Sequence, residues 1–283
     1  MAITAVSDLN SLYNTIYERA LFVAREMNLM ANLVDNRSGS GWMTRVVPIR
    51  PTITAVTVGE TDDFTNPTTF GKSAAATLTP AEVIAQVLLT DRDMETDPDS
   101  ATGDATMELG AAIATKIDVD LVTLFASFGT DIGDGAGNSA TLANIAAGIN
   151  RIRAAHATQY GGIEIVLHPY HWHDIWVELG APSTNFVARD VANEALRNYT
   201  VEEILGARWM TSANIAVDAS DDAVSGLFVR PALMLDTRRA PRLELERDAS
   251  ARATEMNITA GYAVGVVRDT FGMGFTADAT APA

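Results

Sequence analysis

Residues 44–90 are written for extended backbone, yet nothing inside the stretch could close a core around it. Thr, Val and Ile dominate 44–58, while Pro48 and Pro51 argue against a central strand, because proline cannot donate to a ladder. Residues 59–73 are polar and turn-rich, running through Gly59-Glu60-Thr61-Asp62-Asp63-Phe64-Thr65-Asn66-Pro67. From 77 to 90 the chain is extended again, with Val83, Ala85, Val87 and Leu89 alternating against Glu82, Ile84, Gln86 and Leu88. The pattern predicts a long β-arm that runs out, turns at a polar tip and comes back. Two strands alone are marginally stable in water, so the arm needs a surface to lie on.

A second segment has the same need. Ser7 is a plausible helix N-cap with Asp8 in the first turn, and Leu9, Leu12, Ile16, Ala20, Val23, Met27, Met30 and Val34 make an apolar stripe. A helix over 7–33 then stops at the flexible run Asp35-Asn36-Arg37-Ser38-Gly39-Ser40-Gly41. Its stripe must pack on the body of the chain or on a neighbour.

The remainder reads as mixed α and β structure. Residues 91–102 are an acidic connector. Gly103 to Phe128 is the strongest helix, with Ile113, Ile117, Leu121, Leu124 and Phe128 on one face, and Gly129 ends it. Asp131 to Asn138 is a loop, and 141–157 is a helix carrying Leu142, Ile145, Ile149, Ile152 and Ala155 on its apolar side. Ile163 to Leu167 reads as a buried strand, and Pro169 opens a short helix. Thr200-Val201-Glu202-Glu203 matches a capping box and predicts one more short helix. Short strands are expected near 208–211, 214–217 and 226–235. A long closing strand alternates Ile258, Ala260, Tyr262, Val264 and Val266 on one face, before a loose tail from Ala277.

Composition narrows the function. The chain has 283 residues, no cysteine and a net charge of −16. A disulfide framework and a thiolate zinc site are therefore excluded. A strongly acidic surface is a poor partner for nucleic-acid phosphate. No apolar run reaches the roughly 18 residues of a membrane span, and Met1 to Asp8 lacks the basic and apolar regions of a signal peptide. The charge is uneven: fifteen acids lie between Val58 and Asp134 against Lys72, Arg92 and Lys116, while seven arginines face five acids from Arg230 to Arg268. An acidic arm and spine beside an arginine-rich sheet suits charge-complementary contact between copies. Equally, Arg238, Arg239, Arg242, Arg247 and Arg252 could simply solubilise alternate strand faces.

Residues that could carry chemistry are few. His168, His171 and His173 lie within six residues and could ligate zinc or copper in a metal-dependent enzyme. On a helix, however, His171 and His173 point roughly 200° apart, which suits a strand-to-helix turn better than one ion. The Asp131 loop has the composition of a calcium loop, but Gly133 and Gly135 stand where oxygen ligands belong and Leu142 where the glutamate belongs. No phosphate loop and no nucleophile elbow is present. The residues thus point to no catalytic or metal site, no cofactor and a non-enzyme.

Three stretches, together with the order of elements, carry a family resemblance: Leu78-Thr79-Pro80-Ala81-Glu82-Val83-Ile84-Ala85-Gln86-Val87-Leu88-Leu89-Thr90-Asp91, Leu233-Met234-Leu235-Asp236-Thr237-Arg238-Arg239-Ala240-Pro241-Arg242-Leu243-Glu244, and Ala260-Gly261-Tyr262-Ala263-Val264-Gly265-Val266-Val267-Arg268-Asp269. The chain resembles the major capsid protein of tailed bacteriophages, an α+β protein of the Hong Kong ninety-seven-like fold. The resemblance implies an N-terminal arm (1–43), an extended loop (44–90), a peripheral domain with a long spine helix (91–130 plus 231–276), an axial domain (131–230) and a tail (277–283). It further implies hexamers and pentamers that self-assemble into an icosahedral head shell around double-stranded DNA, without sequence-specific binding. The shell would be found in the virion after assembly in the host cytoplasm, with a separate scaffolding protein, a portal and a decoration protein as partners and no membrane. The candidates for contact between subunits are Phe64, Phe70, Lys72, Arg238, Arg239, Arg242 and Arg247. Some family members join an arm lysine to a neighbour's asparagine, which directs attention to Lys72 and Asn257, although a solvated lysine accounts for Lys72 as well. An encapsulin-like nanocompartment holding enzyme cargo is the alternative within the same fold.

Overall fold

The computed structural model describes residues 29–50, 53–61, 63, 69–96, 100–133, 135–180 and 203–282. The helix expected over 7–33 lies almost wholly outside them. Its last turn is present as a short 3₁₀ turn, Met30–Asn32, with Met30 and Val34 fully buried. The strands and helices then follow in order: β1 (Asp35–Ser38), β2 (Arg45–Ile49), β3 (Ser73–Leu78), β4 (Ala81–Thr90), α1 (Asp91–Thr96), α2 (Ser100–Val122), α3 (Leu142–Ala154), β5 (Ile163–Leu167), α4 (Pro169–Gly180), β6 (Glu203–Ile204), β7 (Ala207–Thr211), β8 (Asp222–Val229), β9 (Leu233–Asp248), β10 (Ala253–Val266) and β11 (Gly272–Asp278).

Among the described residues the strands form three sheets. One has the order β1-β9-β10-β4, one β11-β8-β5-β7-β6, and β2 pairs only with β3. The antiparallel β2–β3 ladder shifts register at Val47/Pro48, where proline has no N–H to give. The first sheet is dominated by β9 and β10, which run antiparallel over most of their length with a bulge near Gly261 opposite Arg239. Pro241 sits in this irregular stretch, which spares the ladder a missing donor.

The returning limb of the arm is shorter than its pattern predicts. Pro80 breaks the run, and β4 pairs with β10 from Ala81↔Tyr262 to Thr90↔Ala253 instead of with β2. The alternation is kept but serves the sheet: Val83, Ala85, Val87 and Leu89 turn inward, and Glu82, Ile84, Gln86 and Leu88 face solvent. Periodicity reveals which residues share a face and is blind to which strand lies alongside.

α2 packs across the β4–β10 side of this sheet. It buries Ala105, Leu109, Ile113, Ala114, Leu121 and Val122. Its α-helical hydrogen bonding ends at Val122, and a 3₁₀ turn, Thr123–Ser127, follows. Within the turn the tighter winding buries Phe125 and leaves Leu124 half-buried. Phe128, just past it, is buried, and Ile117, within α2, is half-buried. Phe125 reaches the second sheet, where it lies 5.6 Å from the Phe228 ring and directly over Gly226. A Cβ at Gly226 would fall 2.4 Å from the Phe125 ring, so only glycine lets the turn approach this closely.

One carboxylate sits on the buried face of α2. Asp118 accepts the Met30 backbone N–H at 2.8 Å and the Asn214 side-chain amide at 2.7 Å. It thus ties the start of the described chain and the β7–β8 connection to the spine. Asp120, on the next face, accepts the Tyr262 hydroxyl at 2.7 Å, and burial followed by this carboxylate pushes the phenol above its usual range.

Several other expectations change. The acidic connector is largely helical, as α1 and the first turn of α2. The capping box at Thr200–Glu203 does not open a helix among the described residues: Glu203 begins β6, and Leu205 and Gly206 both take positive φ, which turns the chain back into β7. No strand spans 214–217; Val217 makes a single bridge to Ala223. The strand expected over 226–235 is two strands, β8 and β9, parted at Arg230–Ala232 by a 3₁₀ turn holding Pro231. Ala277 and Ala279 are buried, and the Ala279 N–H donates to the Asp221 carbonyl at 2.6 Å, so the expected loose tail is docked through Ala279. The other elements follow the pattern. Thr141 caps α3 by accepting the Asn144 N–H, β5 spans Ile163–Leu167, and Pro169 opens α4. Among the described residues no helix is long and apolar enough to cross a membrane.

Candidate functional site

The arm presents apolar side chains to solvent. Val46, Ile53, Val56, Val58 and Phe70 are all more than half exposed or nearly so, at 55, 59, 62, 51 and 50%. Val46 lies on the β2–β3 ladder and the other four in the irregular part of the arm beyond it. Exposed apolar surface of this kind marks interaction sites. Of the predicted contact residues here, Phe70 carries the Arg50 guanidinium 4.8 Å from its ring centre, Lys72 is exposed, and Phe64 lies outside the described residues. Asn257 sits on β10 between Gln86 of β4 and Glu244 of β9.

The arginines of β9 are used inside the chain. Arg238 Nε donates to Asp236 Oδ2 at 2.7 Å, and its side chain is only 9% exposed. Arg239 reaches Glu82 at 2.7 Å and stacks over Trp42. Arg242 pairs with Glu244 at 3.0 Å. Arg247 grips Asp91 through both terminal nitrogens, at 2.5 and 2.6 Å, which holds the carboxyl below the usual carboxylate range. The Arg239, Arg242 and Arg247 pairs are well exposed, so each adds little stability, but together with Arg238 they engage all four guanidiniums of β9 within the chain.

The three histidines are not brought to one point. His171 is fully buried, and both ring nitrogens are engaged: Nδ1 with Ser225 Oγ at 2.8 Å and Nε2 with the Ala277 carbonyl at 3.1 Å. The carbonyl can only accept, so Nε2 carries the proton and the serine hydroxyl donates to Nδ1. Ser225 Oγ in turn accepts the His168 backbone N–H at 3.0 Å. His168 Nδ1 accepts the Tyr170 N–H, and His173 stands half-exposed toward Asp174. Burial lowers the affinity of His168 and His171 for a proton. His171 is a pin joining α4, β8 and β11. Among the described residues no group of three His, Cys, Asp or Glu side chains is placed to hold a metal.

Asp131 plays a similar part in its loop. It accepts the backbone N–H groups of Gly133 and Thr276 and the Thr276 hydroxyl, stitching the loop to β11. Its oxygens hold backbone where a calcium loop would need them for an ion.

No family model matches the chain, and no curated protein matches its sequence. Solved structures do match in shape. One titled Mycobacterium phage Che8 is 20% identical with a TM-score of 0.70, covering 88% of this chain and 90% of that one. The capsid of the cyanophage P-SCSP1u is 14% identical with a TM-score of 0.66, over 88% and 87% of the two chains. The capsid of an empty GTA (gene transfer agent) particle is 10% identical with a TM-score of 0.66, over 89% and 90%.

The chain has the phage capsid fold.

Within this capsid fold, sequence reasoning located the arm and the arginine-rich strand but missed their connections. Trp42, Glu82 and Asp91 supply partners from segments far away in sequence, while Asp236 and Glu244 stand two residues from Arg238 and Arg242 on β9 itself. Ile84 and Leu88, 63 and 49% exposed on the outer face of β4, are further apolar surface. They were visible in the alternation, since both stand on its otherwise polar side.

Proposed function

We propose that this chain is the major capsid protein of a tailed bacteriophage, a non-enzymatic building block that self-assembles into an icosahedral head shell enclosing double-stranded DNA. The observation that carries the reading is the match over nearly nine-tenths of the chain to capsid structures of phages and of a gene transfer agent. The exposed apolar arm supports it, because such a projection is stable only when it lies against another molecule.

In this reading residues 1–43 form the N-terminal arm, 44–90 the extended loop, 91–130 with 231–276 the peripheral domain, 131–230 the axial domain and 277–283 the tail. Phe64, Phe70 and Lys72 contact a neighbouring subunit through the arm, and Arg239, Arg242 and Arg247 border that contact from β9 while keeping their partners within the chain. Arg238, turned inward, acts indirectly. The protein resides in the virion after assembly in the host cytoplasm, with a scaffolding protein, a portal and a decoration protein as partners. Repulsion between its acidic surface and phosphate keeps DNA from adhering to the shell lining. A nanocompartment with enzyme cargo has less support, since the named neighbours include phage and gene-transfer-agent capsids.

Expression of the chain alone and with a scaffolding protein, followed by negative-stain imaging, tests the proposal. Closed uniform particles or capsomer rings support it. A chain that stays monomeric at every concentration in both conditions overturns it.

A further inference from the structure

The arm leaves the body at a root that is more heavily built than a flexible hinge needs. Asp236 on β9 is completely buried, and two guanidiniums share one of its oxygens: Arg45, the first residue of β2, at 2.9 Å and Arg238 at 2.7 Å. Its second oxygen, Oδ1, receives no hydrogen bond from the described residues. Arg45 Nη2 also donates to the Ser38 carbonyl at 3.1 Å, and Arg238 Nη1 reaches the Ser40 carbonyl at 3.5 Å, so both cations hold the turn that leads into the arm. A Cβ added to Gly39 would fall 2.8 Å from Arg238 and 3.0 Å from Arg45, which places that turn directly against both guanidiniums.

Two apolar contacts flank the charges. The Trp42 ring lies against Gly261, where a Cβ would fall 2.7 Å away, and Arg239 covers the ring at 5.1 Å. On the returning limb, Leu78 is buried in a small cluster with Met234, Ala263 and Val267, separate from the main core. Both limbs thus rest on the β9–β10 pair: the outgoing one through Arg45, with Trp42 and Val47 beside it, and the returning one through Leu78 and Ala76.

We propose that Arg45–Asp236–Arg238 is a latch that fixes the direction of the arm within a single subunit, before any neighbour is met. A buried carboxylate costs a great deal unless it is paired, and here one of its two partners belongs to the arm. Releasing Arg45 leaves Asp236 still paired with Arg238, so the body keeps its buried charge compensated while the arm loses the charged part of its tether and keeps only the apolar contacts of Trp42, Val47 and Leu78. The latch therefore separates arm direction from body stability. It needs nothing from the shell reading, because every contact lies within one chain.

The absence of cysteine allows a direct test. Val56 on the arm and Asn150 on α3, both exposed, are replaced by cysteine and spin-labelled, and the labelled chain is diluted into an excess of unlabelled chain. Pulsed electron resonance then reads the intramolecular distance whether or not particles form. The expected result is one narrow distance peak, lost to a broad distribution in Arg45→Met with the thermal midpoint of the body unchanged. Arg242→Met, which removes a surface pair on the same strand, keeps the narrow peak. Superposable distributions for Arg45→Met and the parent, or a parent distribution that is already broad, overturn the latch. If Arg45→Met lowers the thermal midpoint, Arg45→Lys is measured: recovery of both midpoint and narrow peak supports the latch, and recovery of the midpoint alone with a broad peak overturns it.

Discussion

His171 shows how a group that invites a catalytic reading can be locked into structure by its partners. Each ring nitrogen has one partner, and the serine hydroxyl that serves it also serves the His168 backbone. His171→Ala leaves the Ser225 hydroxyl and the Ala277 carbonyl short of a partner and opens a cavity, and is expected to cost about 3 kcal/mol in urea denaturation. The histidine also sets a pH dependence. Burial lowers its proton affinity in the folded chain, opposed by the Ala277 carbonyl and by Asp174, Asp278 and Asp222. A depressed imidazole means that the unfolded chain takes up the proton first. Stability is therefore full above the ordinary imidazole value of about 6.5 and falls as pH drops below it. His168 shifts in the same direction and adds to the effect. Urea midpoints measured from pH 8 down to pH 5 in parent and His171→Gln check this: the fall below about 6.5 is expected to shrink in the variant, and an equal fall in both assigns it to other groups. Asp118 is the second residue of this kind. Asp118→Ala strands the buried Met30 N–H and removes the partner of the half-buried Asn214 amide, and is expected to cost about 2 kcal/mol by the same measurement.

At the level of elements, the spine and its 3₁₀ extension govern how the two larger sheets meet. Phe125 lies on Gly226 so closely that Gly226→Ala must push the ring, the turn or β8 aside. Overpacking of this kind costs about 2 kcal/mol. A chemical-denaturation midpoint equal to that of the parent would show that the turn yields freely. The same contact marks the boundary of what the amino-acid pattern reveals. Elements decided by local chemistry are readable: Pro169 starts α4, Thr141 caps α3, and β5 has its expected bounds. Elements decided by what lies alongside are not. The Leu78–Asp91 stretch alternates identically whether it pairs with β2 or with β10, and Pro80 alone hints at the break. A capping box at Thr200 looks sound until Leu205 and Gly206 take positive φ. The candidate surface divides in the same way. Phe70 and Lys72 are exposed on the arm, and the spacing of Asp236 and Arg238 on β9 puts both on one face. That this face is buried, and that the Ser40 carbonyl and Arg45 meet it, depends on a distant segment that the spacing does not disclose.

For the molecule as a whole, two forces act when copies approach. A net charge of −16 repels, and exposed apolar side chains on the arm and on β4 attract. Had the β9 arginines been unpaired, a neighbour's acidic arm could have met them, and salt would weaken association. They are instead engaged with Glu82, Asp236, Glu244 and Asp91 of the same chain. The field between copies is therefore mainly repulsive, and the attraction is apolar. Salt screens charge over about 8 Å at physiological strength and leaves apolar burial intact. Light scattering is therefore expected to show faster assembly as sodium chloride rises from low to moderate concentration. Val56→Asp, which adds charge and removes apolar area at a 62% exposed arm position, slows assembly at every salt concentration and leaves the urea midpoint of the unassembled chain unchanged. Assembly that slows or reverses with added salt would instead assign the contact to ion pairs between copies, with β9 exchanging its internal partners for those of a neighbour.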